Sequence, residues 1–306
     1  MPDRLSDLFD SFFGAQQPLA PQYLFVWFVI AWALFLWRRE TGSFITWLMP
    51  RAVWRHKSTA LDVKLLIIGR LMSFFGILSK FVAAPLVAAF VANLLPGAAL
   101  GDAPLSPVLL AFLFWVSGEF AYYWSHRAHH SIKTIWPLHA VHHSAEVLTP
   151  LTTYRQHPLG LLVSASFQSV VIGVIMGVLV GVFDSTASLA KIAGANAFIV
   201  LSNATVANFH HMHIWVSFGP VLERFVISPA QHQVHHSTSA AHYNKNFGNV
   251  LAIWDWMFGT LHVTGVREDI TFGLNAKADA PLMTHRLSSV LWNPVSRLLS
   301  LPEKRP

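Results

Sequence analysis

Long apolar runs alternate with polar segments along the chain, and their lengths set the first expectation. The first run, about Leu19 to Trp37, is rich in Trp and Phe and is followed by Arg38-Arg39-Glu40 and then by Arg51, Arg55 and Lys57. A helix crossing a bilayer core needs about 20 apolar residues, which this run nearly supplies. Leu61 to Pro96 is too long for one span and is interrupted by Arg70 and Lys80. Charges at mid-bilayer cost a few kcal/mol each. The pattern therefore predicts an interfacial amphipathic helix over about Leu61–Ser79, then a span over about Phe81–Leu100. The alternative is one tilted span with Lys80 snorkelling to the surface. Pro96-Gly97 and Gly101 to Pro104 make a short loop, and a third span over about Leu105–Ser125 delivers its end to His126. A polar stretch, His126 to His157, precedes a fourth span (about Leu159–Phe183), a turn at Asp184-Ser185 and a fifth span (about Ala187–Phe209). No later run is long enough. The expected fold is all-α, an integral membrane bundle of about four to five transmembrane helices with a histidine-rich helical cap.

Composition agrees with a membrane chain. The 306 residues are 54% hydrophobic and 12% charged, against about 25% charged in an ordinary soluble domain. The formal charge of +6 sits beside apolar runs, which reads as a positive-inside signature rather than a nucleic-acid footprint. The basic loop after the first span is expected on the cytoplasmic side. Counting alternate crossings puts the histidine clusters on that side too. Met1 to Asp10 holds three aspartates and one arginine, unlike a secretory signal. The absence of cysteine excludes disulfides, thiolate metal sites and cysteine nucleophiles.

The chemistry lies in repeated histidine spacing. His139, His142 and His143 form His-x-x-His-His, and His232, His235 and His236 repeat it; His126 and His130 are an i, i+4 pair. Helical residues at i, i+3 and i+4 share a face, so each group can aim its imidazoles at one place. Eight imidazoles exceed the coordination number of one ion, and two adjacent metal ions is the economical reading. The chain has neither the His-Glu-x-x-His of zinc proteases nor the Glu-x-x-His of soluble di-iron bundles. Nitrogen-only ligation suits iron, zinc or copper alike. Bis-histidine haem would leave the tight triplets unexplained. Isolated histidines such as His56 and His285 read as interfacial or core groups.

These motifs resemble the membrane fatty acid hydroxylase/sterol desaturase superfamily. The resemblance rests on Glu-x-x-Tyr-Tyr-x-x-His-Arg-x-x-His at Glu119–His130 and on the two His-x-x-His-His boxes. It is extended by Ser144 with Glu146, Arg155-Gln156-His157-Pro158, Asn246-Phe247-Gly248 and Trp254-Asp255-Trp256-Met257-Phe258-Gly259-Thr260. It runs from about Trp115 to His262. It implies a non-haem site of two irons, O2 as co-substrate and a sterol-like or fatty-acyl lipid substrate. It also implies electrons from a separate donor protein of ferredoxin or cytochrome b5 type. The implied ligands are His126, His130, His139, His142, His143, His232, His235 and His236, with His211 as a ninth. Family spacing favours His130 over His129. The family often has asparagine where His213 stands, which leaves His210 and His213 open as further ligands. The implied division is an N-terminal membrane region (1–110), a catalytic domain (111–265) and a C-terminal tail (266–306).

Glu119, on one helical stripe with Tyr122, Tyr123 and His126, is expected to be partnered, because a carboxylate at membrane depth is costly otherwise. Metal-bound histidines usually donate their second N–H to a carboxylate or carbonyl, a role expected for Glu119 and Asp255 and considered for His157 and Glu146 beside capping or surface pairing. Arg127 and Arg155 would bind carboxylates or lipid headgroups, and Tyr122, Trp124 and Trp136 fit an interfacial belt. Two rival functions remain. A zinc-dependent membrane hydrolase would need Glu119 or Glu146 as base. A non-enzymatic metal or haem carrier would need ionisable residues through its spans, or a haem.

Overall fold

The computed structural model describes residues 4–14, 17–95, 105–183, 196–206 and 209–300. The expected turns at Pro96-Gly97 and Asp184-Ser185, the loop at Gly101–Pro104, Lys191 and the start of the fifth span lie outside the described residues, as does the side chain of Lys80. Among the described residues the regular structure is helical, with two isolated antiparallel bridges, Val226 to Leu251 and Ser237 to Phe272.

Helix α1 (Arg4–Phe13) precedes α2 (Pro21–Trp37), the expected first span. Short helices α3 (Phe44–Leu48) and α4 (Arg51–Trp54) lead into α5 (Lys57–Phe74). The α5 helix ends before Gly76, which sits at φ +64°. There Ile77 N donates to Met72 O (2.9 Å) and Gly76 N to Ser73 O (2.9 Å), a Schellman stop that a left-handed glycine makes cheap. The break rules out one tilted span across this region. The inner face of α5 carries Leu61, Asp62 and Leu65, all buried, so the helix docks on the histidine-bearing cap. Helix α6 (Ala84–Asn93) is only 10 residues, about 15 Å at 1.5 Å per residue, and so half of a bilayer core.

Helices α7 (Pro107–Ser131) and α9 (Pro158–Phe183) are long and apolar enough to cross a membrane. Ser106 caps α7 by accepting from Leu109 N (3.2 Å), and Pro107 supplies the favoured first-turn proline. The helix does not stop at Ser125 but continues through His130, so the first histidine pair is carried rigidly at its end. The α6–α9 pair packs backbone to backbone. A Cβ at Gly177 would stand 2.7 Å from Ala88 O and 2.7 Å from Val91 Cβ, and Gly173 is equally tight against Val87, the small-residue approach typical of apolar helix pairs. Helix α10 (Ala197–Thr205) is joined to α7 by Asn196 Nδ2 to Ala111 O (2.7 Å) and Trp115 Nε1 to Ser202 Oγ (3.0 Å). The outward faces keep large apolar side chains, including Leu86, Phe90, Val108, Val170, Val174 and Leu201.

The cap is built from α8 (Trp136–His143), the 3-10 turn Pro150–Tyr154, α11 (Gly219–Leu222), α12 (Pro229–His235), α13 (Ile253–Met257) and α14 (Leu287–Leu299). Its apolar core joins Leu61 and Leu65 to Ala140, Val141, Leu282 and Val290.

Candidate metal centre

Helix α8 places His139, His142 and His143 on neighbouring turns, α12 and its C-cap place His232, His235 and His236, and α7 brings His126 and His130. His211 arrives on the segment after α10. The side chains assemble as two sets: His126, His130, His139, His143 and His235 in one, His142, His211, His232 and His236 in the other, with ligand atoms in each set within 4.8 Å of one another. The sets adjoin, since the His143 and His236 rings stack at 4.5 Å and the His142 and His236 rings stand 4.6 Å apart.

The spacing within each set fits a coordination sphere. The Nε2 atoms of His126 and His139 are 3.1 Å apart, those of His139 and His143 3.2 Å, those of His142 and His211 3.1 Å and those of His211 and His232 2.8 Å. Metal–imidazole bonds of about 2.1 Å give octahedral edges of about 3.0 Å and diagonals of about 4.2 Å. The Nε2 atoms of His130, His235 and His236 are buried without a hydrogen-bond partner. Leaving such groups unsatisfied costs about 1–3 kcal/mol each, and a bound cation would remove that cost. All-imidazole donor sets of this kind suit iron, zinc or copper.

The imidazoles are held neutral, as ligands must be. Burial, reinforced by facing imidazoles such as His235 and by Arg155, lowers His142 to about 3. Burial alone lowers His235 to about 4, against the pull of its bond to the Lys245 carbonyl. His139, His143, His211, His232 and His236 are likewise well below the ordinary range, from burial first and neighbouring rings second.

Backbone carbonyls, a hydroxyl and the Gln156 side-chain amide (3.3 Å from His142 Nδ1), rather than carboxylates, touch the far ring nitrogens. His126 Nδ1 meets Phe247 O (2.8 Å), His235 Nδ1 meets Lys245 O (2.8 Å) and His211 Nδ1 meets Thr153 Oγ1 (2.9 Å). Sequence reasoning expected Glu119 and Asp255 at these nitrogens. The structure places both one step further out, where they bind the loop that carries Phe247. Glu119 accepts from Asn249 Nδ2 (2.9 Å), Val250 N (2.7 Å) and Leu251 N (3.0 Å). Asp255 accepts from Phe247 N (2.8 Å), Gly248 N (2.7 Å) and Thr260 Oγ1 (2.6 Å). The reason is geometric: Glu119 lies two turns before His126 on α7, where it faces the loop crossing above it, and the amides of that loop find their partners in the two carboxylates.

The remaining candidates lie outside both sets. His129 bonds back to Ser125 O (2.8 Å), and His210 reaches Ile227 O (3.2 Å) while stacking on His232. His213 reaches Trp47 O (3.0 Å). His157 caps α9 by accepting from Leu159 N (3.1 Å) and ties it to α14 at Leu291 O (3.0 Å), with no contact to a ligand set. Glu146 pairs with His285 (2.5 Å) and Lys57 (3.4 Å). Arg155 is fully buried against Asp62 at 2.8 Å and also bonds Ser144, Ser58 O and Val141 O. Asp62 was not singled out from sequence; its place inside an amphipathic helix gave no local signal. Gln233 and Glu223 were also missed. Gln233 donates to Met212 O (2.9 Å) and Ile214 O (3.1 Å) on the His211 segment. Glu223 accepts from Ser217, Ser228 and Thr264 around the start of α12. There Ser228 and Gln231 form a reciprocal capping box.

Two cavities reach the histidines. One of about 240 Å³ is lined by Tyr122 and Ser125 of α7, Leu161, Ser164 and Gln168 of α9, and five of the nine clustered histidines. Another of about 500 Å³ meets His130, His143 and His235 and is bordered by Lys133, Asn244 and Arg297.

Residues 109–260 match the fatty acid hydroxylase family. The chain is 30% identical over 156 residues to human (Homo sapiens) alkylglycerol monooxygenase, covering 51% of this chain and 31% of that protein. It is 31% identical over 147 residues to the ornithine lipid hydroxylase OlsE of Rhizobium tropici, covering 48% and 40%. It is 33% identical over 162 residues to the Delta(7)-sterol-C5(6)-desaturase of Nicotiana tabacum, covering 51% of each. The matches thus span about a third to a half of these relatives' length. No solved structure matches the chain. The matched region, just under half of the chain, holds all the clustered histidines and both loop-anchoring carboxylates, and it fits the fatty acid hydroxylase/sterol desaturase superfamily.

Proposed function

We propose that the protein is a multi-pass membrane oxidoreductase whose two histidine sets hold two irons and which hydroxylates or desaturates a lipid C–H bond. The observation that carries this reading is the pair of adjoining five- and four-histidine sets at the ends of membrane-length helices. The 25 residues of α7 extend about 37 Å, so a core of about 30 Å leaves its last turn, with His130, beyond the hydrocarbon and His126 at the edge. The α2, α7, α9 and α10 segments would make four crossings, with α6 packed against α9. The basic stretch after α2 meets the histidine side, where Arg38 donates to Trp215 O and Trp47 O accepts from His213; by the positive-inside rule that side is cytoplasmic.

Bound iron would supply O2 activation with electrons delivered by a separate ferredoxin or cytochrome b5 type protein. The chain's own residues do the rest. The imidazoles stay neutral, and the Phe247 and Lys245 carbonyls fix ring orientation. The cavity between α7 and α9 would hold a lipid segment against His126, His139 and His232. The three relatives named above act, by name, on an alkylglycerol, an ornithine lipid and a sterol, which supports a lipid substrate. The hydrolase alternative lacks a base at the metals: both oxygens of Glu119 are taken by the loop, and Glu146 is engaged by His285 and Lys57.

The test is metal content and an optical spectrum of detergent-purified protein, followed by lipid turnover with O2 and reductant. Two irons per chain without a haem band, and products formed only with O2, are expected. His139→Ala or His235→Ala should abolish product while leaving membrane insertion intact. Full turnover in either variant, or product formed without O2, would defeat the reading.

A further inference from the structure

Outside the nine-histidine centre, His242, His262 and Glu268 bring three ligating atoms within 4.8 Å of one another. His242 closes the 3-10 turn Ala240–His242, His262 lies just beyond α13, and Glu268 sits on the following loop. The two imidazoles use different oxygens of one carboxylate: His242 Nε2 to Oε2 at 2.9 Å and His262 Nε2 to Oε1 at 3.3 Å. His242 is buried, whereas the side chains of His262 and Glu268 remain 29% and 32% exposed.

We propose that this triad is a third metal site, taking a divalent cation of the zinc class. Two imidazoles and a carboxylate are an established zinc donor set with a fourth position left for water, and the partial exposure of His262 and Glu268 keeps that position open. Bonds of about 2.1 Å give ligand–ligand edges of about 3.0 Å in an octahedron and about 3.4 Å in a tetrahedron. The observed 2.9 and 3.3 Å match these edges. The ring centroids stand 5.3 Å apart, so both imidazoles converge on the one carboxylate. Exposed ion pairs are worth only about 0–1 kcal/mol.

The site has a structural consequence. His262 N donates to Asn246 Oδ1 (2.7 Å), and the stretch from His242 to Phe247 supplies the Lys245 and Phe247 carbonyls that orient His235 and His126. A cation here would clip that stretch to the loop carrying Glu268.

The inference stands on its own residues, so its test is read as a difference between chains, whatever the main centre binds. Full-length protein in detergent is titrated with zinc against a chromophoric competitor, for the wild type, Glu268→Gln, His262→Ala and the double variant His242→Ala/His262→Ala. The wild type should take up one more zinc equivalent than the double variant. Glu268→Gln and His262→Ala should weaken that equivalent at least ~100-fold while the other equivalents stay unchanged, and zinc should raise the wild type's Tm more than theirs. If the double variant does not fold, the two single variants at partly exposed positions carry the test. Equal zinc stoichiometry and affinity in the wild type and His262→Ala would overturn the proposal.

Discussion

Asp255→Asn should loosen one histidine set and spare the other. Asp255 holds the Phe247 and Gly248 amides through separate oxygens, at 2.8 and 2.7 Å, and takes a third bond from Thr260 at 2.6 Å. Asparagine keeps one acceptor oxygen and turns an NH2 toward a backbone N–H. One charge-assisted bond, worth about 1.5–3 kcal/mol, is lost and a buried amide is left unsatisfied. Burial already pushes the Asp255 carboxyl above its ordinary range, so removing the charge recovers part of that cost and favours a net loss of about 2 kcal/mol. The loss falls on the loop whose Phe247 carbonyl orients His126; Glu119 still holds its far end at Val250 and Leu251. Removing such supporting bonds lowers metal affinity about 10- to 100-fold, and 2 kcal/mol corresponds to about 30-fold. Chelator competition on metal-loaded protein measures this directly. One metal equivalent, that of the set containing His126, should weaken while the equivalent at His142, His211, His232 and His236 keeps its affinity. Two equivalents at wild-type affinity, or both lost together, would refute the loop-mediated argument.

Asp62→Asn should destabilise the cap by about 3–5 kcal/mol, because it strands the guanidinium of fully buried Arg155. Thermal unfolding in detergent checks this, and Asp62→Leu combined with Arg155→Met should recover much of the loss, as apolar replacement of buried pairs does. Stability of the metal-free protein should fall as pH drops below about 6.5, where histidines of the unfolded chain take up protons while His142 and His235, lowered to about 3 and about 4, stay neutral in the fold. The unfolded state then binds more protons, and each such histidine costs up to about 1.4 kcal/mol per pH unit between 6.5 and its folded value. A Tm that is flat or rises from pH 7 to pH 5 would contradict this.

The histidine boxes were legible because a metal site on short helices writes its geometry into sequence spacing: i, i+3 and i+4 are fixed by 3.6 residues per turn. The long spans were legible for an equally local reason, since each of α7 and α9 carries its own run of apolar residues. What the sequence hid is what depends on distant segments meeting. His211 has no helical partner to announce it; it reaches His232 only because Gln233 grips Met212 and Ile214, and it was named by family likeness alone. Glu119 reads from the sequence as a carboxylate needing partners, but nothing local marks it as one serving a loop 131 residues away. Asp62 and Arg155 are 93 residues apart, and neither marks the other. The α6 helix marks the limit from the opposite direction. Its composition reads as part of a span, yet Gly76 ends the preceding helix and Gly173 and Gly177 of α9 admit α6 so closely that a 10-residue helix is packed against a full-length one. Composition reports that such a segment is apolar. Only the glycines on its partner, which admit no Cβ, say how near it must lie.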